Sequence, residues 1–175
     1  MTHRNCRSLA VALLGLTACF APAEPVPLRW FAPPAPAEAP AQAAGFRIGG
    51  ITAAAHLGTA FVWRRSEVEI VLDEVDRWTE EPAVFVARAL EAGTPEASAP
   101  RLDLRLEAFE AVLGPPDRVE VGGTLILDRL DGSPPRRERI LVHGPLDDRR
   151  AETVARSIGA ALADFAAAAT RFAAK

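Results

Sequence analysis

Three patterns in this chain of 175 residues predict an α+β fold, a two-layer domain with a mostly antiparallel sheet and two amphipathic helices. Residues 102–143 alternate apolar and polar side chains in runs separated by Gly/Pro turns, as strands with one dry face do. Two other stretches, near 83–92 and 148–174, repeat apolar residues at steps of three and four, the spacing of a helix with one buried side. Composition shifts divide the chain into an export signal over 1–18, a Pro/Ala-rich tether over 19–44 and the domain over 45–175.

The front of the chain carries a basic head, Arg4 and Arg7, then the apolar run Leu9 to Leu16 and the small residues Thr17-Ala18 before Cys19. That order describes a secretory signal. Its apolar run is far shorter than the roughly 20 residues of a membrane-spanning helix. Leu16-Thr17-Ala18-Cys19 resembles the lipobox of bacterial lipoproteins, which implies cleavage before Cys19 and a diacylglycerol on its thiol. Lipid attachment at Cys19 is therefore expected. One acyl chain holds only weakly, at about 0.8 kcal/mol per buried CH2, whereas two or three hold durably. Phe20 rather than Asp follows the cysteine, which in the sorting rule of enteric bacteria favours the outer membrane.

From Phe20 to Ala44, seven prolines sit among alanines, a composition that favours extended, semi-rigid spacers. One island interrupts it. Leu28-Arg29-Trp30-Phe31 is too apolar to leave in water and predicts a short strand docked on the domain edge.

Within the domain, Phe46 to Ile51 predicts a strand, and Leu57 to Arg64 with Glu67 to Leu72 a strand pair around Arg65-Ser66. Thr79 stands as an N-cap, with Glu80, Glu81 and Pro82 suited to a first helical turn. The helix that follows places Ala83, Val86, Ala87 and Leu90 on its inner side and ends at Gly93-Thr94-Pro95. Leu102, Leu104 and Leu106 line one face of the next strand. After the turn Gly114-Pro115-Pro116-Asp117, the residues Val119, Val121, Gly123, Leu125 and Leu127 do the same, with Gly122-Gly123 able to host a bulge. A turn at 131–135 returns the chain through Ile140 and Val142. In the last helix Val154, Ile158, Leu162, Phe165, Ala169 and Phe172 form one apolar stripe.

Charge and cysteine content narrow the function. Of 20 basic and 23 acidic residues the signal removes only Arg4 and Arg7, leaving 18 against 23. A net charge near −5 with no basic face argues against a nucleic-acid partner. Cys6 leaves with the signal and Cys19 is consumed by acylation, so no disulfide, metal site or nucleophile is built on cysteine. His56 and His143 stand alone, so no metal is expected. Asp73-Glu74-Asp76 and Asp147-Asp148 are expected at turns and a helix cap, and Asp128, Arg129 and Asp131 lead into a turn. No catalytic motif or phosphate loop is present, and neither an enzyme nor a cofactor is expected.

Several segments together resemble the ABC-type transport auxiliary lipoprotein family. They are Leu28-Arg29-Trp30-Phe31, Phe46 through Leu57, Arg65-Ser66 with Glu69, Arg77-Trp78-Thr79-Glu80-Glu81-Pro82, Ala89-Leu90, Pro100 to Leu104 and Phe109-Glu110. The resemblance implies a lipid-anchored protein facing the periplasm, an auxiliary component of an Mce-type ABC transport system that moves phospholipid or another hydrophobic molecule. It implies an Mce-domain protein and an ABC permease as partners, and it allows a homo-oligomer. Trp78 is the candidate partner contact, with burial in the core as its competing role. The alternative function is a structural envelope lipoprotein supporting outer-membrane complex assembly; a third is a chaperone holding acyl chains between sheet and helices.

Overall fold

The computed structural model describes residues 25–35, 45–91, 98–129 and 131–175. Within them the chain forms β1 (Arg29–Phe31), β2 (Arg47–Ala53), β3 (Ala60–Arg64), β4 (Ile70–Trp78), α1 (Pro82–Leu90), β5 (Arg101–Val112), β6 (Arg118–Asp128), β7 (Arg136–Pro145) and α2 (Ala151–Ala173). The seven strands make one sheet in the order β1-β4-β3-β5-β6-β7, with β2 also beside β5. β5, β6 and β7 form the expected meander, and β3 and β4 the expected antiparallel pair. β1 runs parallel to β4, and β5 takes β2 along its first half and the end of β3 along its second, both parallel. The sheet is thus mixed, with antiparallel pairs in the majority.

Alternation decides which face is dry. Leu102, Leu104 and Leu106 of β5, with Val119, Val121, Leu125 and Leu127 of β6, are buried toward the helices. Val154, Ile158, Leu162, Phe165, Ala169 and Phe172 of α2 are all buried against them, so the whole predicted stripe faces the sheet. Two layers share this one core.

Four local features differ from expectation. β4 continues to Trp78, so Asp73, Glu74 and Asp76 lie in a strand rather than a turn. The cause is local: Asp73 Oδ1 accepts the N–H groups of Val75 and Asp76 at 2.8 Å each, folding a turn into the strand that makes a bulge opposite β3. Arg77 closes that bulge by donating to the carbonyls of Asp73, Glu74 and Asp76. Second, α1 is capped by Glu81 without a side-chain bond, and Pro82 opens it; Thr79 instead donates its N–H to Phe31 and extends the β1–β4 pairing. Third, α1 buries Pro82, Phe85, Val86 and Leu90, because Phe85 brings more apolar surface to the core than Ala83 or Ala87. Fourth, the bulge expected at Gly122-Gly123 sits on the partner strand at Glu107. The glycines permit it, since a Cβ on Gly123 would come within 2.2 Å of the Arg105 carbonyl oxygen. The expected helix end at Gly93-Thr94-Pro95 lies outside the described residues.

Trp78 is the hub of the core. Its ring stacks on Phe61 at 3.9 Å between centroids and meets Phe109 and Phe85 edge-on at 5.3 and 6.2 Å. Phe31 joins through Phe61 at 5.4 Å, so β1, β3, β4, β5 and α1 converge on one aromatic cluster. Trp78 Nε1 is buried without a hydrogen-bond partner, a cost of about 1–3 kcal/mol that the ring's contacts must exceed. Trp78→Ala is therefore expected to destabilise the domain by about 3–5 kcal/mol, and Trp78→Phe by distinctly less, because Phe keeps most contacts and removes the orphaned donor. Chemical denaturation of both variants checks that order; equal losses would contradict the packing account.

After β1 the chain passes over α2, where Pro34 lies against Gly159. A Cβ on Gly159 would fall 2.7 Å from Pro34 Cδ. Gly159→Ala should gain up to about 1 kcal/mol of helix propensity while pushing this segment away. The expected result is a nearly unchanged midpoint but faster amide exchange at Thr79, whose N–H is bonded to Phe31. Unchanged exchange would show that the segment is not held there.

Candidate functional site

The described residues present two distinct surfaces on the sheet side away from the helices. One is a charged patch across β3, β5, β6 and β7. The other is an apolar edge at β1 and the β3–β4 hairpin.

The charged patch follows from register. The turn at 114–117 pairs Val112 with Arg118, so counting back two residues on each strand sets Glu110 directly opposite Glu120. Both are buried, and like charges so placed need partners. Arg64 supplies one for Glu110, donating from Nε at 2.6 Å and Nη2 at 3.1 Å. That pairing raises the Arg64 pKa, with burial opposing it. Arg118 donates to Glu120 at 2.8 Å. The two histidines flank the pair: His56 Nε2 lies 3.9 Å from Glu110, and His143 Nδ1 lies 3.3 Å from Glu120. His143 stands exposed on the edge strand β7 and His56 is part-buried in the loop before β3, each beside a carboxylate. Their spacing in sequence gives no hint of this.

A second staple crosses the same face one step along. Glu107, the bulge residue, accepts from Thr124 Oγ1 and from Arg139 Nε, each at 2.9 Å, and so ties β5 to β6 and β7. The Arg139 bond holds the Glu107 pKa below its ordinary value, against the opposing effect of burial and with help from Thr124. Near α2, Asp148 accepts the Arg150 N–H at 2.9 Å, the cap-side role expected of it. Its pKa is pushed well down, first by the Arg150 side chain and then by that backbone bond. Asp117 is lowered too, by Arg149 and by the Gly114 N–H, which joins the 114–117 turn to the start of α2. Asp131 accepts the Ser133 N–H at 2.9 Å in the turn where it was expected.

This chemistry is that of structural ion pairs. Each buried carboxylate is held by a guanidinium, Asp76 by Arg29, Glu110 by Arg64 and Glu120 by Arg118. Among the described residues no group of three or more His, Cys, Asp or Glu is placed to hold a metal ion. No described helix is long and apolar enough to cross a membrane.

The apolar edge has the inverse of the usual pattern. On β1, Arg29 and Phe31 alternate to the helix side, where Arg29, itself exposed, donates to both oxygens of Asp76 at 2.7 and 2.8 Å and Phe31 meets Phe61. Val26, Leu28 and Trp30 alternate with them and stay exposed, at 66, 48 and 55 %. Val68, Ile70 and Leu72 of the neighbouring hairpin are exposed as well. The docking of the 28–31 island was expected; the outward apolar ridge was not, although the alternation of Val26, Leu28 and Trp30 was visible in sequence.

Of the sequence-predicted site residues, Cys19 lies outside the described residues. Trp78 is 1 % exposed in the aromatic cluster, so its ring offers a partner no surface. Trp78 instead supports the exposed β1 edge from below, through Phe61 and Phe31.

No family model matches the chain, and no curated protein matches it. Its fold is shared by solved structures. One is a crystal structure of an uncharacterized protein, with 10% identity, a TM-score of 0.66 and coverage of 84% of this chain and 99% of that one. Another is protein XCC0632 from Xanthomonas campestris, described under the family model DUF330, with 12% identity, a TM-score of 0.68 and coverage of 81% and 92%. The assignment to the ABC-type transport auxiliary lipoprotein family is corrected accordingly. The Xanthomonas campestris neighbour carries the DUF330 description, and at 10–12% identity both neighbours establish the fold alone.

The Glu107 staple yields a pH prediction. A carboxylate with a depressed folded-state pKa stabilises the fold above its unfolded pKa, and that stability is lost as pH falls through the folded one. Glu107→Gln should cost about 1 kcal/mol at neutral pH and flatten the stability profile between about pH 5 and pH 3. Urea midpoints across that range test it; a profile parallel to the parent's would contradict the assignment.

Proposed function

We propose that this chain is a lipid-anchored envelope domain, acylated on Cys19 and facing the periplasm, which serves an Mce-type ABC transport system through partner binding. Its cargo class is phospholipid or another hydrophobic molecule, and the outer membrane is the proposed site of the anchor. The observation that supports an anchored domain is the exposed apolar edge, Val26, Leu28 and Trp30, starting a few residues after the candidate anchor. The interior favours contact over carriage, because Phe61, Trp78, Phe85, Phe109 and Phe165 fill the space between sheet and helices where an acyl chain would lie. A membrane-held tether then raises the local concentration of the domain near its partners.

Cross-linking in the native envelope, followed by identification of what is purified with this chain, tests the partner assignment. Recovery of an Mce-domain protein or its permease is expected. Recovery of outer-membrane assembly proteins alone, with the transport proteins present in the cell, would favour the structural role instead. The anchor is tested separately: Cys19→Ser should leave a folded domain that no longer sediments with membranes, and undiminished sedimentation would refute it.

A further inference from the structure

The outward ridge of β1 has a definite neighbour once the anchor is placed. Only residues 20–24 separate Cys19 from Pro25, and an extended chain spans at most about 3.6 Å per residue. Pro25 therefore lies within roughly 22 Å of an acylated Cys19, and Arg29, where β1 starts, within roughly 36 Å. From Arg29 onward the chain adds nothing to that reach, because the β1 pairing with β4 and the Pro34 contact at Gly159 hold it on the domain.

We propose that this edge rests on the bilayer that holds the anchor, with Val26, Leu28 and Trp30 in the interfacial zone. The proposal rests on acylation of Cys19. Trp is suited to that zone because its ring combines an apolar body with one polar N–H. The two guanidiniums nearest the ridge are both engaged: Arg29 alternates to the other face and binds both oxygens of Asp76, and Arg77, beside Trp30, donates to the carbonyls of Asp73, Glu74 and Asp76. The ridge continues onto the hairpin. Trp30 stands beside Arg77 on the face away from the helices, and alternation through β3 places Leu72 and Ile70 on that same face. Docked in this way, the lipids and the edge orient the domain as well as tether it, and the charged patch around Glu110 and Glu120 keeps a fixed attitude to the membrane.

The test uses the lipidated mature chain in vesicles of phosphatidylethanolamine, phosphatidylglycerol and brominated phosphatidylcholine, with tryptophan fluorescence as the readout. The chain has three tryptophans; Trp78 is buried and Trp63 is bonded through Nε1 to Asp73 at 3.0 Å, so Trp30 is the one open to lipid. Bromine is expected to quench the parent's emission by up to about a third, one tryptophan of three, and Trp30→Phe to abolish most of that quenching with the fold intact. Equal emission in brominated and plain vesicles, with the protein bound, would overturn the proposal. Emission that is unquenched yet shifts with protein concentration would assign the edge to a second copy and overturn it too. Failure of the protein to float with vesicles would remove the anchor itself, an outcome distinct from bound protein without quenching.

Discussion

The structure depends on the stacking of Trp78 against Phe61, reinforced by Phe85 and Phe109. Without that cluster β1 would have only three residues of parallel pairing, too little to hold an edge strand against its conformational entropy. With it, Phe31 plugs into the aromatic group through Phe61, and Arg29 is fixed by Asp76 in the same strand register. The N-terminal segment becomes part of the domain. The unpaired indole N–H shows which effect prevails, since apolar contact outweighs one lost hydrogen bond.

A fixed β1 changes the meaning of the Pro/Ala-rich stretch. Composition describes a single long spacer, whereas the residues at 25–35 lie along the sheet and over α2. The span between Cys19 and Arg29, the first paired residue of β1, is ten residues, at most about 36 Å when extended.

Much of this architecture was legible in the residues. The period-two runs at 102–106 and 119–127 and the stripe from Val154 to Phe172 gave their faces correctly, because one buried side leaves a strong pattern. β4 was cut short in the sequence reading because Asp73, Glu74 and Asp76 resemble turn residues, and one of them does make a turn, but inside a bulge. The helix face of α1 was misjudged because small Ala residues at the right spacing hid the larger demand of Phe85. Glu110 and Glu120 gave no signal of burial, since their partners Arg64 and Arg118 come from register and long-range pairing rather than local spacing. Trp78 drew attention as a partner contact for its size, and the same size made it the core's hub. The lipobox carries the expectation of a lipid anchor; the fold neighbours bear on architecture only.

Everything proposed about the envelope role passes through one covalent event at Cys19. Its most direct measurement is the intact mass of the protein extracted from membranes, together with the mass of its N-terminal peptide. A mature chain beginning at Cys19 and carrying the added mass of a diacylglyceryl group is the predicted result. A chain that retains residues 1–18, or one that begins elsewhere without acyl mass, would contradict the account and leave the apolar edge of β1 without its membrane.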